Sequence, residues 1–184
     1  MHQLRLQAAL NRLQHARHLA GRFFGSLHPG GPNAAEELWV ASQLTAGERD
    51  VWRRMANPDR RHAVGVARRL HATVASPVER PVAAAALLHD CGKVVSGLGT
   101  YGRVLATVAA AVGGRDMAGP WSERRGFTRR VGLYLRHPEL GADLLSMAGS
   151  DPLTVAWARQ HHLPAEQWSV PPEVGAALKA ADDD

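Results

Sequence analysis

His89-Asp90-Cys91-Gly92-Lys93 sets an imidazole, a carboxylate and an ammonium within five consecutive positions. His62 lies upstream, and His137, His161, His162 and Asp182 lie downstream. Neutral imidazoles mixed with carboxylates form the donor set of a borderline divalent metal such as Mn, Fe, Zn or Ni. Asp90 has two oxygens to share and is the natural bridge between two ions. Paired ions about 3.5–4 Å apart clamp a phosphoryl group and activate a water. Lys93 then offsets negative charge on the phosphate or on the developing transition state. Asp90 and Lys93 are therefore the candidate catalytic groups.

For this chemistry the residues must converge, and helical rise tests whether they do. His62 belongs to a helix that opens at Asn57-Pro58-Asp59 and runs to about Ala75. From His62 to its end is about 13 residues, or roughly 19 Å. Ser76-Pro77 turns the chain, and a helix from about 78 to 90 returns roughly 17 Å to His89. An antiparallel hairpin thus brings His89 level with His62. A second hairpin repeats the sum: the helix from Pro138 to about Met147 rises roughly 15 Å, and the one from Pro152 returns roughly 14 Å to His161. If the two ends face each other, one pocket collects five histidines and Asp90. Asp182 reaches it only if the 163–170 loop carries the chain to the far end, a span of up to about 25 Å. Asp182 is also two residues from the end of the sequence, where fraying is common and Asp183 is its alternative.

Helical periodicity accounts for the rest of the sequence. Residues 3–24 carry Leu4, Leu6, Ala9, Leu10 and Leu13 at helical spacing. His28 to Asn33 is a short Pro/Gly linker. Residues 34–43 are predicted helical, and Thr45 with Glu48 reads as a capping box for a helix to about Ala56. Ala83 to Leu88 is apolar all round, the mark of a buried central helix, and Gly92 is expected to stop it. Further helices are predicted near 99–112, from Trp121 to about Arg136, and from Pro171-Pro172 onward. No strand pattern occurs, so the fold class is all-α.

With 184 residues and 45% hydrophobic content the chain can bury one substantial core. Its formal charge of +5 comes almost wholly from arginine, since Lys93 and Lys179 are the only lysines. That excess reflects either coding bias or attraction of an anionic substrate. The arginine pairs at 53–54, 60–61, 68–69, 124–125 and 129–130 read as solvated faces. Nucleic-acid binding would need them on one surface with stacking aromatics, and only Trp52 and Trp121 lie nearby. The single cysteine, Cys91, permits no internal disulfide and suits a reducing cytoplasm. No apolar run approaches the length of a membrane span and the first residues lack a signal-peptide core, so a cytoplasmic protein with no membrane is expected.

At these residues the sequence resembles the HD superfamily of metal-dependent phosphohydrolases. The likeness runs from Arg61-His62-Ala63-Val64 through Ala86-Leu87-Leu88-His89-Asp90-Cys91-Gly92-Lys93 to Arg136-His137-Pro138-Glu139-Leu140-Gly141-Ala142, Gln160-His161-His162 and Ala181-Asp182. Its downstream pieces resemble the subgroup with extra histidines that includes the HD-GYP phosphodiesterases, although Leu163-Pro164-Ala165 stands where Gly-Tyr-Pro would follow. The resemblance implies an HD-domain helical bundle over residues 58–184, with residues 1–57 as an N-terminal helical extension. It implies one metal held by His62, His89, Asp90 and Asp182, and a second held by His137, His161 and His162 with Asp90 bridging. It further implies hydrolysis of a small-molecule phosphate ester, such as a nucleotide. Two rival readings share the same residues: a di-iron oxygenase, and a catalytically weak module that binds a nucleotide or a partner.

Overall fold

A computed structural model describes residues 30–74, 77–113 and 117–183. The helix expected at residues 3–24 and the first part of its linker lie outside these, as does Ser76 of the expected turn. The described residues form helices α1 (Ala34–Gln43), α2 (Ala46–Arg54), α3 (Asn57–Thr73), α4 (Arg80–Leu88), α5 (Lys93–Ser96), α6 (Thr100–Gly113), α7 (Ala118–Ser122), α8 (Gly126–Leu135), α9 (His137–Met147), α10 (Pro152–Gln160) and α11 (Pro172–Asp183). No strand occurs among them, and none of the helices is long and apolar enough to cross a membrane.

Local chemistry sets the helix starts. Asn33 accepts from the Glu36 amide at 2.9 Å, and Glu36 accepts from the Asn33 amide at 2.8 Å, closing a capping box on α1. Thr45 and Glu48 do the same for α2, as their spacing predicts. Proline in the first turn opens α3, α4, α9 and α10, where its missing N–H costs nothing.

Helix α4 is the axis of the bundle. Residues Ala83 to Leu88 are completely buried, and α4 packs against α1, α3, α10 and α11. Its four consecutive alanines let those neighbours approach closely, while Leu87 and Leu88 each contribute about 1.5–3 kcal/mol through burial. The apolar cluster around it runs from Val40 to Ala181 and includes Val51, Trp52 and Met55 of the α2 region. A second, much smaller cluster joins Leu98, Ala106 and Val131 under α6, α7 and α8.

Three details differ from the sequence reading. Helix α4 ends at Leu88 rather than at residue 90, and Gly92 does not stop it: its φ is −64°, and the chain re-enters a short helix, α5, that ends at Gly97 with φ 59°. Gly92 is there for closeness, since a Cβ would lie 2.0 Å from the His137 carbonyl oxygen and 2.5 Å from the Gly141 nitrogen. The basic helix expected over 121–136 is two helices, broken at residues 123–125 and restarted at Gly126 with φ 63°. Finally, α10 stops at Gln160, which leaves His161 and His162 in the turn that follows.

Candidate metal centre

Three histidines reach the centre by one device. His89 caps α4, His161 caps α10, and His137 stands at the junction of α8 and α9. Each Nδ1–H donates to the carbonyl three residues earlier: His89 to Ala86 at 2.9 Å, His137 to Tyr134 at 2.8 Å and His161 to Ala158 at 2.9 Å. The last carbonyls of a helix have no partner within it, so they are available for this bond. A carbonyl can only accept, so the proton is fixed on Nδ1 and the neutral ring turns its Nε2 lone pair inward.

Those lone pairs surround Asp90. Its Oδ1 lies 3.3 Å from His137 Nε2 and 3.8 Å from His161 Nε2, while its Oδ2 lies 3.5 Å from His89 Nε2 and pairs with the Lys93 ammonium. The carboxylate therefore faces different histidines with its two oxygens. His162 Nε2 is 3.2 Å from His137 Nε2; with His137 locked as the acceptor, His162 donates. His62 Nε2–H donates to Asp182 Oδ1 at 2.9 Å, and the same oxygen is 3.6 Å from His89 Nε2.

All the residues singled out in the sequence thus meet at one place. The two hairpin arguments are reproduced in space: the His62 and His89 rings are 5.6 Å apart, as are those of His137 and His161. The pairs join through His89 and His161, at 5.2 Å. Asp182 is buried in α11 and belongs to the cluster, whereas Asp183 is exposed and pairs with Lys179 at 2.7 Å. The path that delivers Asp182 is held by the 160–170 segment. Gln160 Oε1 accepts from the Ser169 amide at 2.7 Å, Trp168 donates to the Leu163 carbonyl at 3.0 Å, and the Trp168 ring packs edge-on against Trp157.

The electrostatics match the geometry. Burial by itself would raise Asp90, but the Lys93 ammonium and His89 overcome it and hold the carboxyl well below the usual carboxylate range. Asp182 is likewise driven down against the effect of burial, by His89 and His62. Burial would lower His89, yet the carboxylates of Asp90 and Asp182 hold it above its ordinary value. His161 goes the other way, lowered by burial and by its histidine neighbours. Burial pushes the Cys91 thiol up to about 12, which leaves it inert beside Asp90.

The donors fit a metal. Asp90, His137, His161 and His162 each offer an atom within 4.8 Å of the others, and so do His62, His89 and Asp90. His89 Nε2 and His161 Nε2 are buried without a hydrogen-bond partner. A buried polar atom left so costs about 1–3 kcal/mol, and a cation among these lone pairs would satisfy both. Sequence reasoning missed the three backbone carbonyls that fix the tautomers. Their one signal is a histidine just past a helix end. No protein-family model, curated protein or solved structure matches the chain.

Proposed function

We propose that the protein is a metal-dependent phosphohydrolase acting on a small phosphate ester, such as a nucleotide. The observation that carries this reading is Asp90: one carboxylate shared by two donor groups, with an ammonium on its second oxygen. His62, His89, Asp90 and Asp182 would hold one divalent ion, and His137, His161 and His162 with Asp90 a second. When bound, such ions supply Lewis acidity and a water acidic enough to react at neutral pH.

The chain's own groups account for the remainder. The Nδ1 locks hold three imidazoles in the tautomer a ligand needs, so little reorganisation accompanies binding. His62 and His162, whose Nε2–H groups donate to Asp182 and His137, would each have to carry the proton on Nδ1 instead to bind through Nε2. Lys93 sits where it keeps Asp90 ionised and adds positive charge toward an anionic substrate. Residues 83–88 of α4, completely buried, and the apolar cluster behind them keep water from the rear of the site.

The test is elemental analysis and hydrolysis of model phosphate mono- and diesters, on wild type and Asp90→Ala. About two transition-metal ions per chain, lost together with ester hydrolysis in the variant, support the proposal. Two irons with oxygen-dependent chemistry and no ester hydrolysis would select the oxygenase. Failure to bind metal under any loading condition would leave a binding module.

A further inference from the structure

We infer that the outer face of α6 together with the arginines around α8 docks on an anionic lipid surface. Seven of the ten exposed large apolar side chains among the described residues fall between positions 95 and 127. Four of them, Tyr101, Val104, Leu105 and Val108, recur at helical spacing on α6 and are 71%, 42%, 57% and 55% exposed. Ala106, on the opposite side of the helix, is fully buried in the small cluster with Val131. The stripe therefore points away from the protein. An apolar stripe of this kind is a common mark of a docking surface.

Charge identifies the occupant. Residues 95–136 contain seven arginines and two acidic residues. The rest of the chain balances, with fifteen basic and fifteen acidic residues, so the whole net charge of +5 resides in this stretch. Five arginines outside this stretch pair with a nearby carboxylate, Arg53 with Asp50, Arg60 with Glu37, Arg68 with Glu36, Arg80 with Glu48 and Arg159 with Asp143, and within it Arg103 pairs with Asp59. Arg124, Arg125, Arg129 and Arg130 are exposed and make no ion pair among the described residues. Phe127, 49% exposed, projects between them in sequence.

Positive charge concentrated in the same stretch of chain as exposed aliphatic side chains suits a bilayer with acidic headgroups: the guanidinium groups would meet phosphates while Val, Leu and Phe enter the headgroup boundary. Nucleic acid would use the arginines and could stack on Tyr101 and Phe127, but it would leave Val104, Leu105 and Val108 without a partner. The contact is interfacial and calls for no helix long and apolar enough to cross a membrane, of which there is none among the described residues.

The full chain should co-sediment at low salt with vesicles of mixed phosphatidylglycerol and phosphatidylcholine, and not with vesicles of phosphatidylcholine alone. Leu105→Asp with Val108→Asp, or Arg124→Ser with Arg125→Ser, should each weaken binding about tenfold or more, on the scale expected for two basic residues near an acidic surface. Thermal melts should not move, because these side chains are exposed. No sedimentation, equal sedimentation with neutral vesicles, or undiminished binding by either variant would overturn the inference. So would binding to a single-stranded oligonucleotide that rivals the vesicles and survives the aspartate substitutions. A dimer in solution that is lost with those substitutions would instead assign the face to a second copy of the chain.

Discussion

Helices α4 and α6 are built from nearly the same residues and end in opposite circumstances. One reads Val82-Ala83-Ala84-Ala85-Ala86-Leu87-Leu88, the other Val104-Leu105-Ala106-Thr107-Val108-Ala109. Residues 83–88 of α4 are sealed on every side, and α4 delivers His89 and Asp90 to the centre; α6 is sealed on one side only. The difference lies in the neighbours. Four helices bring apolar faces to α4, whereas α6 rests on α8 and is tethered by Arg103, which grips both oxygens of Asp59 at 2.6 and 2.8 Å. Composition thus sets what a helix can bury, and the remaining elements decide how much it does.

The largest expected effect breaks the α4 side at its end. Asp90→Ala should lower ester hydrolysis by well over the roughly hundredfold that loss of an outer-shell partner costs, with loss of bound metal measured on the same sample. Leu87→Ala should cost about 2–5 kcal/mol in denaturant unfolding, because four packed helices cannot collapse into the space it leaves. Gly92→Ala should cost about 1–3 kcal/mol, since a Cβ there collides with α9 backbone rather than with a flexible side chain. It should also displace His137, which metal titration would detect as weakened binding of one ion.

Proton competition sharpens the comparison further, because only the α4 side carries it. His89 is held above its ordinary value by two carboxylates, so a proton occupies the position of a cation until the pH rises past that raised value. Metal affinity should therefore climb as the pH rises above the ordinary imidazole value of about 6.5, with proton release seen by calorimetry in two buffers. Affinity that does not rise with pH would contradict a His89 proton held between the carboxylates of Asp90 and Asp182. The smallest effect belongs to α6: Leu105→Ala should change stability by about 0.5 kcal/mol or less, against the several expected at Leu87.

Much of this was legible in the sequence, for reasons specific to particular residues. The two hairpins follow from counting residues between turns, because rise per residue is constant, and they bring His62 to His89 and His137 to His161. The capping box at Thr45 and Glu48 was readable because its partners are three residues apart. Gly92 was not, since glycine serves equally a left-handed stop and a close approach, and only the position of α9 tells which. The break at 123–125 was hidden by residues that a helix accepts readily. Asp182 depended on the course of the 163–170 loop, which is set by Trp168 against Trp157 and by Gln160 on Ser169, contacts that no local pattern announces.

The placement of His89, His137 and His161 just beyond helix ends makes helix length the ruler of the centre. Adding one residue inside α4, α8 or α10 would swing the following histidine by about 100° and carry it about 1.5 Å onward. The ring would then lose its carbonyl anchor and its view of Asp90 together. Substitutions along these helices are tolerable in many places, but insertions and deletions are not. Drift in length should therefore be confined to the loops between them, and the spacing from each turn to its histidine should be the most rigid quantity in the chain.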